Sequence, residues 1–219
     1  MTKIVFISDT HSKHNHIPND DIESGDIIIH SGDFSSRGYK HEVINFLSWF
    51  SDLNFRYKIF IAGNHDFLFQ DDPKVCSEIL SKYPNVIYLQ DNGVEVDGIK
   101  IWGSPWQPTF YNWAFNLPRR GSEILSKWKM VPGDTDILIT HGPPHGILDL
   151  IGDNTNCGCE LLSVEVDQYI VPKIHSFGHI HYSYGTSKIN ETMYINASSL
   201  GEDYNYKNKP IKIIYEDLI

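Results

Sequence analysis

Five short segments concentrate residue types that bind metal ions and hydrolyse phosphate esters. They are Asp9-Thr10-His11, Gly32-Asp33, Gly63-Asn64-His65-Asp66, Thr140-His141-Gly142 and Gly178-His179-Ile180-His181. Carboxylate, imidazole and amide oxygen suit Mn, Fe or Zn. A phosphate ester resists hydrolysis because its anionic oxygens repel a nucleophile, and two adjacent cations both screen that charge and generate hydroxide. Taken singly, Asp-x-His or Gly-Asp is as readily a turn in a solvated loop, whereas Gly-Asn-His-Asp and Gly-His-x-His are more specific. Their occurrence together in one chain points to a two-metal hydrolytic site.

Short β-branched runs deliver these motifs. Ile4-Val5-Phe6-Ile7 precedes Asp9, Ile27-Ile28-Ile29 precedes Asp33, Ile59-Phe60-Ile61 precedes Asn64, and Ile137-Leu138-Ile139 precedes His141. Such runs read as strands buried on both faces, and ligands at their C-terminal ends converge on one edge of a sheet. Apolar residues at helical spacing predict helices over about 39–53, 73–83, 119–130 and 160–170, the last ended by Pro172. Short strands are expected at 86–89, 94–96 and 100–102. A late pair at 193–196 and 211–215 is expected to complete a mixed sheet.

Composition fits one folded domain spanning residues 1–219: 41% of residues are hydrophobic, 13% aromatic and 21% charged, which leaves ample material for a core. The net charge of -10 argues against long nucleic acid as substrate, because a phosphate backbone is bound largely through Lys and Arg. Bound cations would still make a pocket locally positive, so a small phosphorylated molecule remains compatible. The first apolar run is four residues long, too short for a signal peptide or a membrane span, so a cytoplasmic protein without membrane attachment is expected. Cys76, Cys157 and Cys159 are few and odd in number, unlike a disulfide framework, and read as free thiols. A metal-binding Cys157-Gly158-Cys159 would be the alternative.

Other candidates are weaker. His14, His16 and His41 lie in polar stretches and read as solvated, while His30 and His175 lie in apolar strands and read as core. His145 ends a proline-stiffened run after His141 and could reach substrate or be a plain loop residue. The aromatic segment 102–115 could be a rim on which a nucleobase stacks or a buried plug, with Trp102 and Phe115 on the structural side.

The ordered series D-x-H, G-D, G-N-H-D, H, G-H-x-H resembles the calcineurin-like metallophosphoesterase superfamily. Gly103-Ser104-Pro105-Trp106, Asn112 to Asn116, Thr140 to Pro144 and Lys173 to Gly178 are similar to its metallophosphoesterase-domain-containing branch, related to vertebrate brain proteins. The resemblance runs from about Ile4 to Ser199. It implies an α/β fold of two packed mixed sheets flanked by helices, two divalent ions with Mn favoured over Fe or Zn, and phosphoester hydrolysis by a metal-bridging hydroxide. Carried over by motif position, Asp9, His11 and His181 would hold one ion and Asn64, His141 and His179 the other, with Asp33 bridging. His65 would protonate the leaving group and Asp66 would orient its ring, although many relatives carry Glu at the latter position. The activity implied is phosphodiester hydrolysis on a nucleotide or similar small ester. Alternatives are a phosphomonoesterase, a protein phosphatase or a non-catalytic binding protein.

Overall fold

The computed structural model describes residues 1–218, so the expectation that folded chain runs on to Ile219 lies outside the described residues. Strands β1 (Lys3–Ile7), β2 (Gly25–His30), β3 (Phe55–Phe60) and β4 (Val86–Tyr88) are parallel neighbours in one sheet. β13 (Ile211–Ile214) closes that sheet antiparallel to β1. The second sheet has six strands, in the order β11 (Gly185–Ile189), β12 (Thr192–Asn196), β10 (Ile174–Phe177), β9 (Ile137–Thr140), β6 (Ile99–Ser104) and β5 (Asn92–Val96). Its four inner strands are parallel and its two edge strands antiparallel. The architecture is therefore two mixed sheets flanked by helices, as expected.

Strand periodicity explains the layers. In β1, Ile4 and Phe6 point inward, where they join Ile27, Ile29 and Ile59 against Ile101, Ile137, Ile139, Ile174 and Ile195 of the other sheet. Val5 and Ile7 point the other way and pack with Val43, Phe46, Leu47 and Phe50 of helix α1 (Lys40–Asp52). Burial of both faces is what made these strands read as unbroken apolar runs. Outside the second sheet, Leu138, Phe177 and Tyr194 pack on Ile124 and Trp128 of α4 (Ser122–Trp128) and on Leu162 of α5 (Glu160–Glu165).

Helix α2 (Phe67–Asp71) and the short pair β7 (Gln107–Pro108) and β8 (Asn116–Leu117) have no counterpart in the sequence reading, nor does β11. The helix expected at 73–83 is the shorter α3 (Pro73–Leu80), started by the Asp72 side chain accepting from the Val75 N–H. The segment 160–170 leaves α geometry after Glu165 and ends in a π-turn (Val166–Ile170). One pairing expectation is corrected. The two late strands do not pair with each other, because β12 joins β10 in one sheet and β13 joins β1 in the other. The segment between them crosses from sheet to sheet over the motif-bearing strand ends, where Ser198 bridges to Ser8.

Candidate metal centre

The parallel strands β1, β2, β3, β9 and β10 all end at this edge, and the residues after them carry the motifs. The backbone turns so abruptly there that Asp9, His11, Asp33 and His179 adopt left-handed conformations, with φ of 51°, 40°, 54° and 67°. Such strain persists only where surroundings impose it. Here the loops brace one another: the Asp9 N–H donates to the Gly32 carbonyl at 3.0 Å and the His11 N–H to the Asp33 carbonyl at 2.9 Å. Two motif glycines are required by close approach. A methyl group on Gly63 would overlap Asp33 Oδ1, and one on Gly178 would overlap Asp9 Oδ2.

Donor atoms gather into groups that could hold metal: Asp9, His11 and His181; Asp33, His141 and His179; and His11, Asp33 and His65. Asp33 belongs to two of them. Asn64 Oδ1 lies 3.0 Å from His141 Nε2, which is 3.2 Å from Asp33 Oδ2. The tautomers follow from the carbonyls behind the rings. His141 Nδ1 faces the Ser31 carbonyl at 3.0 Å and His181 Nδ1 faces the Gly201 carbonyl at 3.1 Å; a carbonyl can only accept, so both rings carry hydrogen there. Their Nε2 atoms then point inward, where each can meet either a proton or a cation. His181 Nε2 meets His11 Nε2 at 3.3 Å and Asp9 Oδ1 at 3.4 Å. Acceptors facing acceptors across such distances fit cations between them, so this donor set suits divalent metal ions.

Charge in the centre agrees. Burial alone would raise the Asp9 and Asp33 carboxyls, but the imidazoles around them hold both well below the usual carboxylate range. Burial pushes His11 down to about 4 and His179 down to about 3, leaving both rings neutral and able to ligate. His141 goes the other way, to about 9, because the charge and hydrogen bond of Asp33 outweigh burial. It thus holds a proton where a cation would serve the same carboxylate.

His65 stands beside this cluster, with Nε2 3.9 Å from Asp33 Oδ2 and its own N–H donating to Asp33 Oδ1 at 2.7 Å. The expectation that Asp66 orients its ring is corrected. His65 Nδ1 donates to the Ser36 carbonyl at 2.8 Å. The buried Asp66 carboxylate instead accepts from the N–H groups of Gly63, Asp33 and Ser35, at 2.7, 2.9 and 3.0 Å, and from the Ser35 hydroxyl. Its oxygens are thus committed to the two loops that carry Asp33 and Asn64.

A cavity of about 390 Å³ opens over these groups, and its walls sort the remaining candidates. Phe110 and Trp113 line it, while Phe115 is buried and Trp102 packs on the outer core, so the aromatic segment divides between the two roles. His145 is exposed and is not among the lining residues, because its loop turns it outward from the strand end. His14, expected in solvent, is fully buried: Nε2 bonds to Asn45 Oδ1 at 2.7 Å and the ring packs on Phe46 and Trp49. His30 and His175 are buried as expected. Neither Cys157 nor Cys159 enters a potential metal-holding group among the described residues. Cys159 caps α5, its sulfur accepting the Leu162 N–H.

Three wall residues were missed. Tyr204 sets its ring 5.0 Å from that of His11 and 5.2 Å from that of His181, and Tyr182 and Arg119 also line the cavity. None lies in a motif, and only the crossing of the 197–210 segment brings Tyr204 to the site.

Comparison with known proteins identifies the family. The chain is 41% identical to the Metallophosphoesterase domain-containing protein 1 of Homo sapiens, over 97% of this chain and 70% of that protein. It is 38% identical to the UPF0046 protein T07D4.2 of Caenorhabditis elegans, over 85% of this chain and 54% of that one. Among solved structures, TT1561 of Thermus thermophilus superposes with a TM-score of 0.66 over 98% of this chain and 99% of that one, at 12% identity, a likeness of fold alone. The sequence profile described as Calcineurin-like phosphoesterase matches residues 2–183, a span that takes in every donor described above. The chain belongs to the calcineurin-like phosphoesterase family.

Proposed function

We propose that this protein is a metal-dependent phosphodiesterase that hydrolyses a small phosphodiester, a nucleotide being the leading class. The observation that carries the reading is the convergence of Asp9, His11, His181, Asn64, His141 and His179 around Asp33, with imidazole nitrogens and carboxylate oxygens facing one another. Asp9, His11 and His181 would hold one divalent ion and Asn64, His141 and His179 the second, with Asp33 between them. Mn is the preferred ion, with Fe or Zn as alternatives. Such a pair, when bound, screens phosphate charge and lowers the pKa of water.

The chain's own residues supply the rest. His65 keeps Nδ1 on the Ser36 carbonyl and presents Nε2 to the cavity, so an imidazolium there can pass a proton to the departing alkoxide. Phe110, Trp113, Tyr182 and Tyr204 offer flat apolar surface for the organic part of a substrate. Diesters are favoured because they bring one negative charge where monoesters bring nearly two, against a net charge of -10.

The test is a comparison of bis-p-nitrophenyl phosphate and a cyclic nucleotide with p-nitrophenyl phosphate, on protein stripped by chelator and reloaded with Mn. A higher kcat/KM for the diesters is expected. A clear monoester preference would move phosphomonoesterase into first place. In parallel, Asp33→Ala should lower metal content sharply and abolish most activity while the fold survives. Full metal and normal turnover in that variant would overturn the assignment.

A further inference from the structure

Glu42 stands in the first turn of α1, half-buried and outside the cavity, yet its carboxylate gathers four donors. Oε2 accepts the N–H groups of Tyr39 and Arg37, at 2.9 and 3.1 Å. Oε1 accepts the Ser12 hydroxyl at 3.0 Å and the Ser36 N–H at 3.2 Å. The Tyr39 bond is half of a capping box and by itself concerns only the helix. The other donors lie on segments that meet the site.

Ser36 and Arg37 are the points from which His65 is held. The Ser36 carbonyl takes the His65 Nδ1 hydrogen at 2.8 Å, which sets the edge of the ring. Arg37 lays its guanidinium over Trp113, 5.2 Å from the ring centre, and Trp113 stacks on His65 with centroids 4.1 Å apart and planes 28° from parallel, which sets the face. Both contacts issue from consecutive residues whose backbone N–H groups end on one carboxylate.

We infer that Glu42 is a positioning residue for proton transfer: by pinning Ser36 and Arg37 it holds the His65 imidazole with Nε2 aimed into the cavity. The inference rests on the reading of His65 as general acid. Without the pin, the Ser36 carbonyl drifts and the ring loses both its orientation and the partner that fixes its tautomer. Loss of alignment at a reacting atom lowers rate without removing a reacting group.

The experiment uses the Mn-loaded protein with a cyclic nucleotide, which expels a ribose alkoxide, and with bis-p-nitrophenyl phosphate, whose leaving group needs little protonation. Glu42→Gln should lower kcat/KM for the cyclic nucleotide by on the order of tenfold and for the activated diester by less than about threefold, since general acid catalysis contributes roughly 10²–10⁴-fold in all. Metal content should be unchanged, and Glu42→Gln in a His65→Ala background should add no further loss. Ser48→Gly, on the exposed face of α1, controls for a weakened helix and should lower Tm without any leaving-group effect. Equal losses on both substrates, a fall in metal content or additivity with His65→Ala overturns the inference. Should Glu42→Gln not fold, Glu42→Asp, which keeps the charge but shortens the arm, faces the same criteria. If His65→Ala itself shows no leaving-group dependence, the general-acid reading fails and the inference falls with it; if only Glu42→Gln shows none, the inference fails alone.

Discussion

A histidine next to a metal cluster can ligate, position or transfer a proton, and the general-acid role proposed for His65 is supported by its surroundings. Its Nδ1 is committed to a carbonyl, one face is covered by Trp113, and its Nε2 stays 3.9 Å from the nearest Asp33 oxygen. A ring held in this way is free at one atom only. His65→Ala should therefore cost roughly 10²–10⁴-fold on an ester that leaves as an alkoxide. The loss on p-nitrophenyl esters should be far smaller. Parallel kinetics on the two ester types check this, and equal losses would assign His65 to positioning. Asp66 illustrates the converse: burial and the nearby Asp33 charge push it up to about 8 even against the hydrogen bonds from Ser35 and Gly63, which pull the other way. Its neighbours are backbone groups of the ligand loops, so its work is to hold those loops together.

Between residues and molecule lie the connections. The strand ends fix the donors, but one wall of the cavity is made by the long loop from Gly142 to Cys159, which contributes Gly142, Pro143, Ile151, Cys157 and Gly158. That loop has little regular structure and is organised by the buried Asp149, which accepts from the Gly146 and Gly158 N–H groups at 3.0 and 2.9 Å and from the Asn156 side chain. Arg119 ties it down from outside through the Cys157 and Gly158 carbonyls. Asp149→Ala removes the shared acceptor and leaves the buried Gly158 N–H without its partner, a cost of about 1–3 kcal/mol before relaxation, while the freed Gly146 N–H lies in an exposed residue. The expected result is a KM raised severalfold with metal content intact, and faster proteolysis between residues 150 and 157. Unchanged KM and protease resistance would show that the loop is held by its other contacts.

At the scale of the molecule, two sheets with parallel centres are pressed together, and polar groups buried between ligand strands couple stability to pH. His175 is fully buried in β10, and burial pushes its pKa from the ordinary 6.5 down to about 3. The Thr140 hydroxyl donates to the Gly142 carbonyl at 2.8 Å and so accepts from His175 Nε2 at 2.8 Å. The other ring nitrogen, Nδ1, has no partner among the described residues, and a proton there would be stranded beside Phe177 and Tyr194. Only the neutral ring fits. Its contribution to stability is complete above about pH 6.5 and is lost as pH falls toward about 3, at up to about 1.4 kcal/mol per pH unit. Urea unfolding of metal-free protein between pH 6.5 and 4 should show that slope reduced by one proton in His175→Gln. An identical slope would place the acid sensitivity elsewhere.

The strands of the parallel centres and the donors were legible in the sequence for one reason: local chemistry leaves local marks. A strand buried on both faces must be apolar at consecutive positions, so β1, β2, β3 and β9 appear as unbroken runs. The turn after each must supply donors at close quarters, so the motifs follow at once. Helix α1 was placed within one residue at each end because its buried residues Val43, Phe46, Leu47 and Phe50 recur at the period of the helix. What depended on distant pairing was not legible. Nothing in Met193 to Asn196 or Ile211 to Tyr215 tells which sheet each joins, since a short apolar strand fits either edge. Tyr204 carries no motif and reaches the cavity only through that crossing, and Arg119 is set on the wall by its bonds to the Cys157 and Gly158 carbonyls. The partner of His65 also had to await the fold. A carboxylate one residue away looked well placed, but its oxygens are taken up by N–H groups of the ligand loops, and the Ser36 carbonyl is brought to the ring from another strand's loop, pinned by a glutamate on α1.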